Sequence, residues 1–232
     1  LFQRNLALSY NNIGILLSAT GKHTDALAAF EQALKIRELL TSENPTVTEL
    51  QDHLAGSYNN IGILLSATGK QADALIAYEQ SLEIQKRLAS ENPTVTEFQS
   101  TLADSHYNIA NLLSATGKPA EALAAYEQAL EIQKRQASEN PMVTEFQNTV
   151  AGSYNNIGNL LRATGELAKA LLAYEQTVEI QNRLVSENPK VTDFQSTLAS
   201  SHYNIGNLLS ATGNPEEARR AYELALEIQK RL

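Results

Sequence analysis

Side-chain amides recur along this chain at fixed intervals. Asn12, Asn60, Asn108, Asn156 and Asn204 stand 48 residues apart, without insertion or deletion. Beside them lie Asn11, Asn59, Tyr107, Asn155 and Tyr203. One helical turn on are Ile15, Ile63, Asn111, Asn159 and Asn207. Each amide offers both donors and acceptors. A ladder of them is able to hold a peptide backbone while reading little of its sequence. The alternative is that the same amides satisfy helix and turn groups between repeats.

Other chemistry finds little support. The chain has no Cys, which excludes disulfides, thiolate metal sites and thiol nucleophiles. His106 and His202 are two whole repeats apart, so no metal site is read from them. Ala19-Thr20-Gly21-Lys22 lacks the glycine spacing and the Lys-Ser/Thr pair of a phosphate loop. No catalytic motif is found, and the expectation is a non-enzymatic protein without cofactor or metal. Net charge is −8 with no single-sign basic patch, which argues against a nucleic-acid partner. Apolar runs such as Ile63-Leu64-Leu65 are too short to span a bilayer. No membrane partner is expected. With a mean hydropathy of −0.28 and no signal peptide, a cytoplasmic location is expected. The first residues, Leu1-Phe2-Gln3, suggest an excised segment.

The elements that carry these residues follow from the same period. Gly21, Gly69, Gly117, Gly165 and Gly213 mark five copies of one unit, the pattern of a stacked solenoid. In the third copy Val95, Phe98, Leu102, Ile109, Leu112 and Leu113 recur at helical spacing. That helix should end near Ala115, with Gly117 in the left-handed closing position. A second helix should start at Lys118-Pro119 and run to about Ser138. Ala122, Leu123, Tyr126, Ala129, Leu130 and Ile132 should face inward. Glu121, Glu127, Gln128, Glu131, Lys134 and Arg135 should form a solvated face. Thr94 and Glu97, like Thr46 and Glu49, have capping-box spacing. Asn before Pro in every linker is an alternative helix cap, and Asn214 a further one. Helices of about 20 residues, joined by short turns, give five antiparallel pairs.

The pattern resembles the tetratricopeptide repeat. The first copy supplies Tyr10, Ile13-Gly14, Leu17, Ala26, Phe30, Ala33 and Pro45. The second supplies Tyr58, Ile61-Gly62, Leu65, Ala74, Tyr78, Ser81 and Pro93. The usual unit is 34 residues long. Here each helix has gained about seven residues, close to two turns, so its buried phase is nearly preserved. The chain is thus similar to the long-helix branch of the family, as in kinesin light chains and bacterial arrays.

The resemblance implies an all-α α-solenoid, a right-handed superhelix of five antiparallel helix pairs. It would form a single array over 1–232, with units of about 1–45, 46–93, 94–141, 142–189 and 190–232. It further implies a protein-protein interaction scaffold, holding a peptide or protein of unknown identity in a concave groove lined by the first helices. The Asn, Tyr107 and Tyr203 positions named above, with Arg162, would form that lining. Arg162 stands where other copies have Ser18, Ser66, Ser114 and Ser210, and is either a local anchor or a solvated substitution. The Lys and Arg of a carboxylate clamp are missing. The His106-Tyr107 and His202-Tyr203 pairs shift the aromatic ring by one residue, which would turn the two Tyr rings toward the groove. A structural spacer that self-associates head-to-tail is the competing expectation, since the repeats are near-identical and polar end caps are lacking.

Overall fold

A computed structural model describes residues 2–232. Among the described residues there are ten helices and no strand. They are α1 Phe2–Ala19, α2 His23–Glu43, α3 Thr48–Ala67, α4 Gln71–Glu91, α5 Thr96–Ala115, α6 Pro119–Glu139, α7 Thr144–Ala163, α8 Leu167–Glu187, α9 Thr192–Ala211 and α10 Pro215–Gln229. The helix ends expected at Ala115 and near Ser138 are found within one residue. Two compact units are distinguished, Leu1–Ala125 and Tyr126–Leu232, with the division inside α6.

Each odd-numbered helix closes in the same way. In α3 the Gly69 N–H donates to the Ser66 carbonyl and the Lys70 N–H to the Leu65 carbonyl. These paired bonds form a Schellman closure, which requires the residue after the cap to be left-handed. Gly69 supplies that conformation with φ of 80°, and its four counterparts do the same. The preceding Thr takes part too. Thr68 Oγ1 donates back to the Leu64 carbonyl at 2.9 Å, satisfying an orphan acceptor of the last turn. The recurring Ala-Thr-Gly is therefore one complete helix stop.

The linkers before α3, α5, α7 and α9 correct the expected caps. No side-chain cap bond is made at the start of α3 or α5; extended Val47 and Val95 occupy the cap positions. Thr46–Glu49 and Thr94–Glu97 are not capping boxes. Asn44, Asn92, Asn140 and Asn188 serve the preceding helix instead. Asn92 Nδ2 donates to the Leu88 carbonyl at 2.9 Å, and the other three repeat the bond at 3.0–3.1 Å. The reason is geometric: the Asn ends one helix, and an intervening turn, closed by Val95 N–H to Asn92 O, separates it from the next. Asn214 makes no side-chain cap bond either; its amide turns back to Thr212. Val95, counted with the apolar residues at helical spacing, is the cap residue before α5 and is exposed.

In the first unit α1 packs on α2, α3 on α4, and α2 and α4 on the following first helices. The pairs α7–α8 and α9–α10 stack likewise in the second unit, joined through α8 and α9. Ala26, Phe30, Ala55, Leu64, Ala74, Tyr78 and Leu88 are buried in the first unit. Ala151, Ala170, Tyr174, Leu184 and Leu208 are buried in the second. Full burial of each large side chain contributes about 1.5–3 kcal/mol. Close packing explains the glycine after Ile61. A Cβ on Gly62 would lie 2.6 Å from the Tyr78 ring. Gly14 meets Phe30, Gly158 meets Tyr174 and Gly206 meets Tyr222 in the same way. The aromatic of the second helix thus lies directly on the backbone of the first.

Candidate functional site

The first helices bring the recurring amides together in pairs. In the first unit Asn60 Nδ2 donates to Asn11 Oδ1 at 2.9 Å, and Asn108 Nδ2 to Asn59 Oδ1 at 2.8 Å. In the second, Asn204 Nδ2 donates to Asn155 Oδ1 at 3.0 Å. Each bond joins positions 49 residues apart, one repeat plus one residue. The ladder is thus made of rungs between successive first helices. Every rung uses one N–H and one carbonyl lone pair, and an amide has two of each. Capacity for a ligand remains on both partners. Asn12 is exposed, and Asn156 is half-buried.

The positions one turn on divide by chemistry. Asn159 Oδ1 accepts from the Tyr174 hydroxyl at 2.8 Å, and Asn207 Oδ1 from the Tyr222 hydroxyl at 2.9 Å. These Asn residues fix the aromatic that covers the glycine. Asn111 is exposed. In the first two repeats Ile15 and Ile63 stand there, both about half exposed. The aromatics at the register of Tyr174 in those copies are Phe30, which has no hydroxyl, and Tyr78, whose pKa burial pushes up to about 12.

Tyr203 is exposed and its ring lies 5.6 Å from that of Tyr222, tilted by 53°. Tyr107 is half-buried. His106 is buried, and desolvation assisted by the Lys86 charge lowers its pKa to about 4. His202 is lowered by desolvation alone. Both are neutral at physiological pH. Arg162 is exposed in the last turn of α7. Desolvation raises the Tyr174 pKa, and the Arg162 guanidinium opposes that rise. Arg162 therefore stands near the Tyr174–Asn159 pair.

One buried charge falls outside the residues named from the sequence. Arg37 of α2 is only 9% exposed. Its Nη1 donates to the His53 carbonyl at 2.8 Å and to Ser57 Oγ at 2.7 Å, both on α3. Burial lowers its pKa, with Asp52 pulling in the opposite direction. The signal was available in the repeat: Gln85, Gln133, Gln181 and Gln229 hold this position in the other copies. Among the described residues no cluster of three or more His, Cys, Asp or Glu is able to hold a metal ion. No described helix is long and apolar enough to cross a membrane.

Comparison with known proteins agrees with this architecture. Tetratricopeptide repeat family models match residues 6–45, 54–93 and 150–189 in one form, and 103–135 and 199–232 in two others. No curated protein matches the chain significantly. The structure of BtubC (BKLC) from P. vanneervenii is similar, with a TM-score of 0.77 and 22% identity over 98% of this chain and 81% of that one. Nearly identical TPR-like repeats of a Podosopora anserina kinesin-light-chain-like protein give 0.72 and 21% over 99% and 97%. The Rap conjugation gene regulator of plasmid pLS20, solved with the Phr* peptide, gives 0.59 and 17% over 96% and 53%. At these identities the structural likeness carries the fold alone, while the family models rest on the sequence itself and together span all five copies. The chain belongs to the tetratricopeptide repeat family.

Proposed function

We propose that the chain is a non-enzymatic scaffold that binds an extended peptide or protein segment along the Asn-bearing faces of its first helices. The family is one of protein-interaction scaffolds, and the pLS20 Rap regulator was solved with a peptide. The carrying observation is the repeated amide rung, which leaves unused donors and acceptors at the same register in successive repeats. Such groups suit backbone amides, which any peptide presents. A net charge of −8 disfavours phosphate backbones as partners. A random-peptide display selection against the full chain tests the reading. Binders should be recovered, and replacing Asn108, Asn111, Asn156 and Asn159 by Ala should abolish their capture while circular dichroism stays helical. Capture that survives in the folded variant overturns the groove.

A second reading is head-to-tail self-association. Phe2, Leu6, Ile13 and Leu16 of α1 are exposed, as are Leu224 and Leu226 of α10. Apolar surfaces of this kind support heterologous contacts between copies. Light scattering against concentration tests it. A molar mass that stays monomeric at high concentration rejects the reading.

A further inference from the structure

Departures from the 48-residue repeat converge in the first unit. A cavity of about 290 Å³ opens between α1, α2 and α3, lined among others by Arg4, Leu8, Arg37, Leu40, Leu50 and His53. Leu50 stands where other copies have Phe98, Phe146 and Phe194, so a smaller side chain leaves room. Arg37 projects its guanidinium from the buried base; only Nη1 is hydrogen-bonded. Arg4 stands at the rim, 3.1 Å from Glu49. The result is an aliphatic pocket with two guanidinium groups and one carboxylate, that of Glu49, already paired with Arg4.

One repeat on, at the same register, a smaller cavity of about 120 Å³ lies between α3, α4 and α5. It is lined by Asp52, Gly56, Gln85, Thr101 and Asp104, among others. Asp52 takes the place of Arg4, and Gln85 that of Arg37. Gln85 Nε2 holds Asp52 Oδ1 at 2.9 Å, and Gln85 Oε1 accepts from Thr101 at 2.8 Å. Asp104 is accessible along its length, yet neighbouring protein desolvates its carboxyl and raises its pKa. The second pocket is therefore polar and acidic where the first is aliphatic and, with two guanidinium groups to one carboxylate, basic on balance.

We propose that these two consecutive pockets read an ordered pair of charges on one extended peptide segment, a Glu side chain in the first and a Lys side chain in the second. The assignment rests on the peptide-scaffold reading above and adds chemistry and direction to it. The Glu stem lies against Leu8, Leu40 and Leu50 while its carboxylate meets the free N–H groups of Arg37. Guanidinium–carboxylate pairing is the strongest contact this pocket offers. The Lys ammonium meets Asp52 and Asp104. Neighbouring helices pack about 8–10 Å apart, and an extended chain advances about 3.3 Å per residue. About three residues therefore separate the two charges. Inverted polarity between the two pockets fixes which way the segment runs.

The test uses fluorescein-labelled Ser/Gly peptides carrying one Glu and one Lys at varied spacing, in both orders. The uncharged Ser/Gly parent is the control. Each is titrated against the full chain by fluorescence polarisation. One order should bind at least tenfold more tightly than its reverse. Arg37→Gln and Asp104→Ser should each remove about tenfold. Both put in a residue that another copy already carries (Gln85 and Ser200), so the fold tolerates them. Arg4→Asp combined with Arg37→Gln gives the first pocket the Asp and Gln of the second while Glu49 remains, and preference should move to peptides with two Lys. Equal binding of both orders, or binding unmoved by Arg37→Gln and Asp104→Ser, overturns the ordered-charge assignment and leaves the scaffold standing. Binding by none of the peptides also overturns it, and the display selection then decides the scaffold reading separately.

Discussion

Asn108 donates its side-chain amide to Asn59 at 2.8 Å, from one first helix to the one before it. Neither residue is fully buried. A neutral hydrogen bond of this kind contributes about 0.5–1.5 kcal/mol net. Asn59→Ala and Asn108→Ala should each lower stability by about 1 kcal/mol, and the double variant by little more than either alone. Urea denaturation of the four chains in a double-mutant cycle measures this. A coupling near zero would mean that the rung stabilises nothing.

Gly62 and Tyr78 make the tightest packing demand in the second repeat. A methyl group on Gly62 would sit 2.6 Å from the ring. Tyr78 is 4% exposed, so its ring recedes only if its neighbours move with it, as they do in the third copy, where Ala110 stands at this position and is buried like Tyr126. Overpacking of a filled core costs about 1–3 kcal/mol. Gly62→Ala should cost the low end of that range and lower Tm accordingly, since the neighbours in this copy are not adjusted to a methyl group as those of Ala110 are, and the higher helix propensity of Ala offsets part of the cost. Gly56→Ala, one and a half turns earlier in the same helix with open space around its Cα, should raise Tm slightly instead. Thermal melts of the two variants separate propensity from packing.

The linker offers a contrast between two residues only two positions apart. Asn92 closes α4 through the Leu88 carbonyl, whereas Thr94 is exposed and N-caps nothing. Asn92→Ala should cost about 1 kcal/mol, and Thr94→Ala should stay within about 0.5 kcal/mol. Guanidinium melts report both. The reverse ranking would restore the capping-box reading.

How far the sequence carries can be seen in these same residues. The helix stops at Ala-Thr-Gly were legible because a left-handed glycine has few alternatives. The start of α6 at Pro119 was legible too, but the caps at the Asn-Pro linkers were not, since spacing alone cannot say which side of a turn an Asn serves. The Asn positions were legible as a ladder, but the 49-residue offset of its rungs depends on how successive first helices stack. Arg37 escaped notice because a charged residue on an amphipathic helix is normally read as solvated. Only its Gln counterparts mark the position, and of these Gln85, Gln133 and Gln181 are buried.

The positions of Glu38, Lys86 and Lys134 recur on the second helices, and each faces the helix that follows. Their partners differ. Glu38 accepts from the Tyr58 hydroxyl at 2.8 Å, and Lys134 lies 4.8 Å from the centre of the Tyr154 ring. Lys86 instead meets His106, whose pKa is lowered from 6.5 to about 4 by desolvation and then by that Lys. Between those values the unfolded chain binds a proton that the folded chain refuses. Stability contributed by the neutral imidazole is therefore present above pH 6.5 and lost as pH falls toward 4. After discounting for solvent screening the loss is roughly 1–2 kcal/mol. His106→Tyr should abolish this component and place a ring against the exposed Lys86, as Tyr154 does against Lys134, adding about 0.5–1 kcal/mol. Urea midpoints from pH 4 to pH 7 should fall steeply on the acid side for the parent chain and less steeply for the variant. Identical slopes for the two chains would show that His106 does not govern the acid limb.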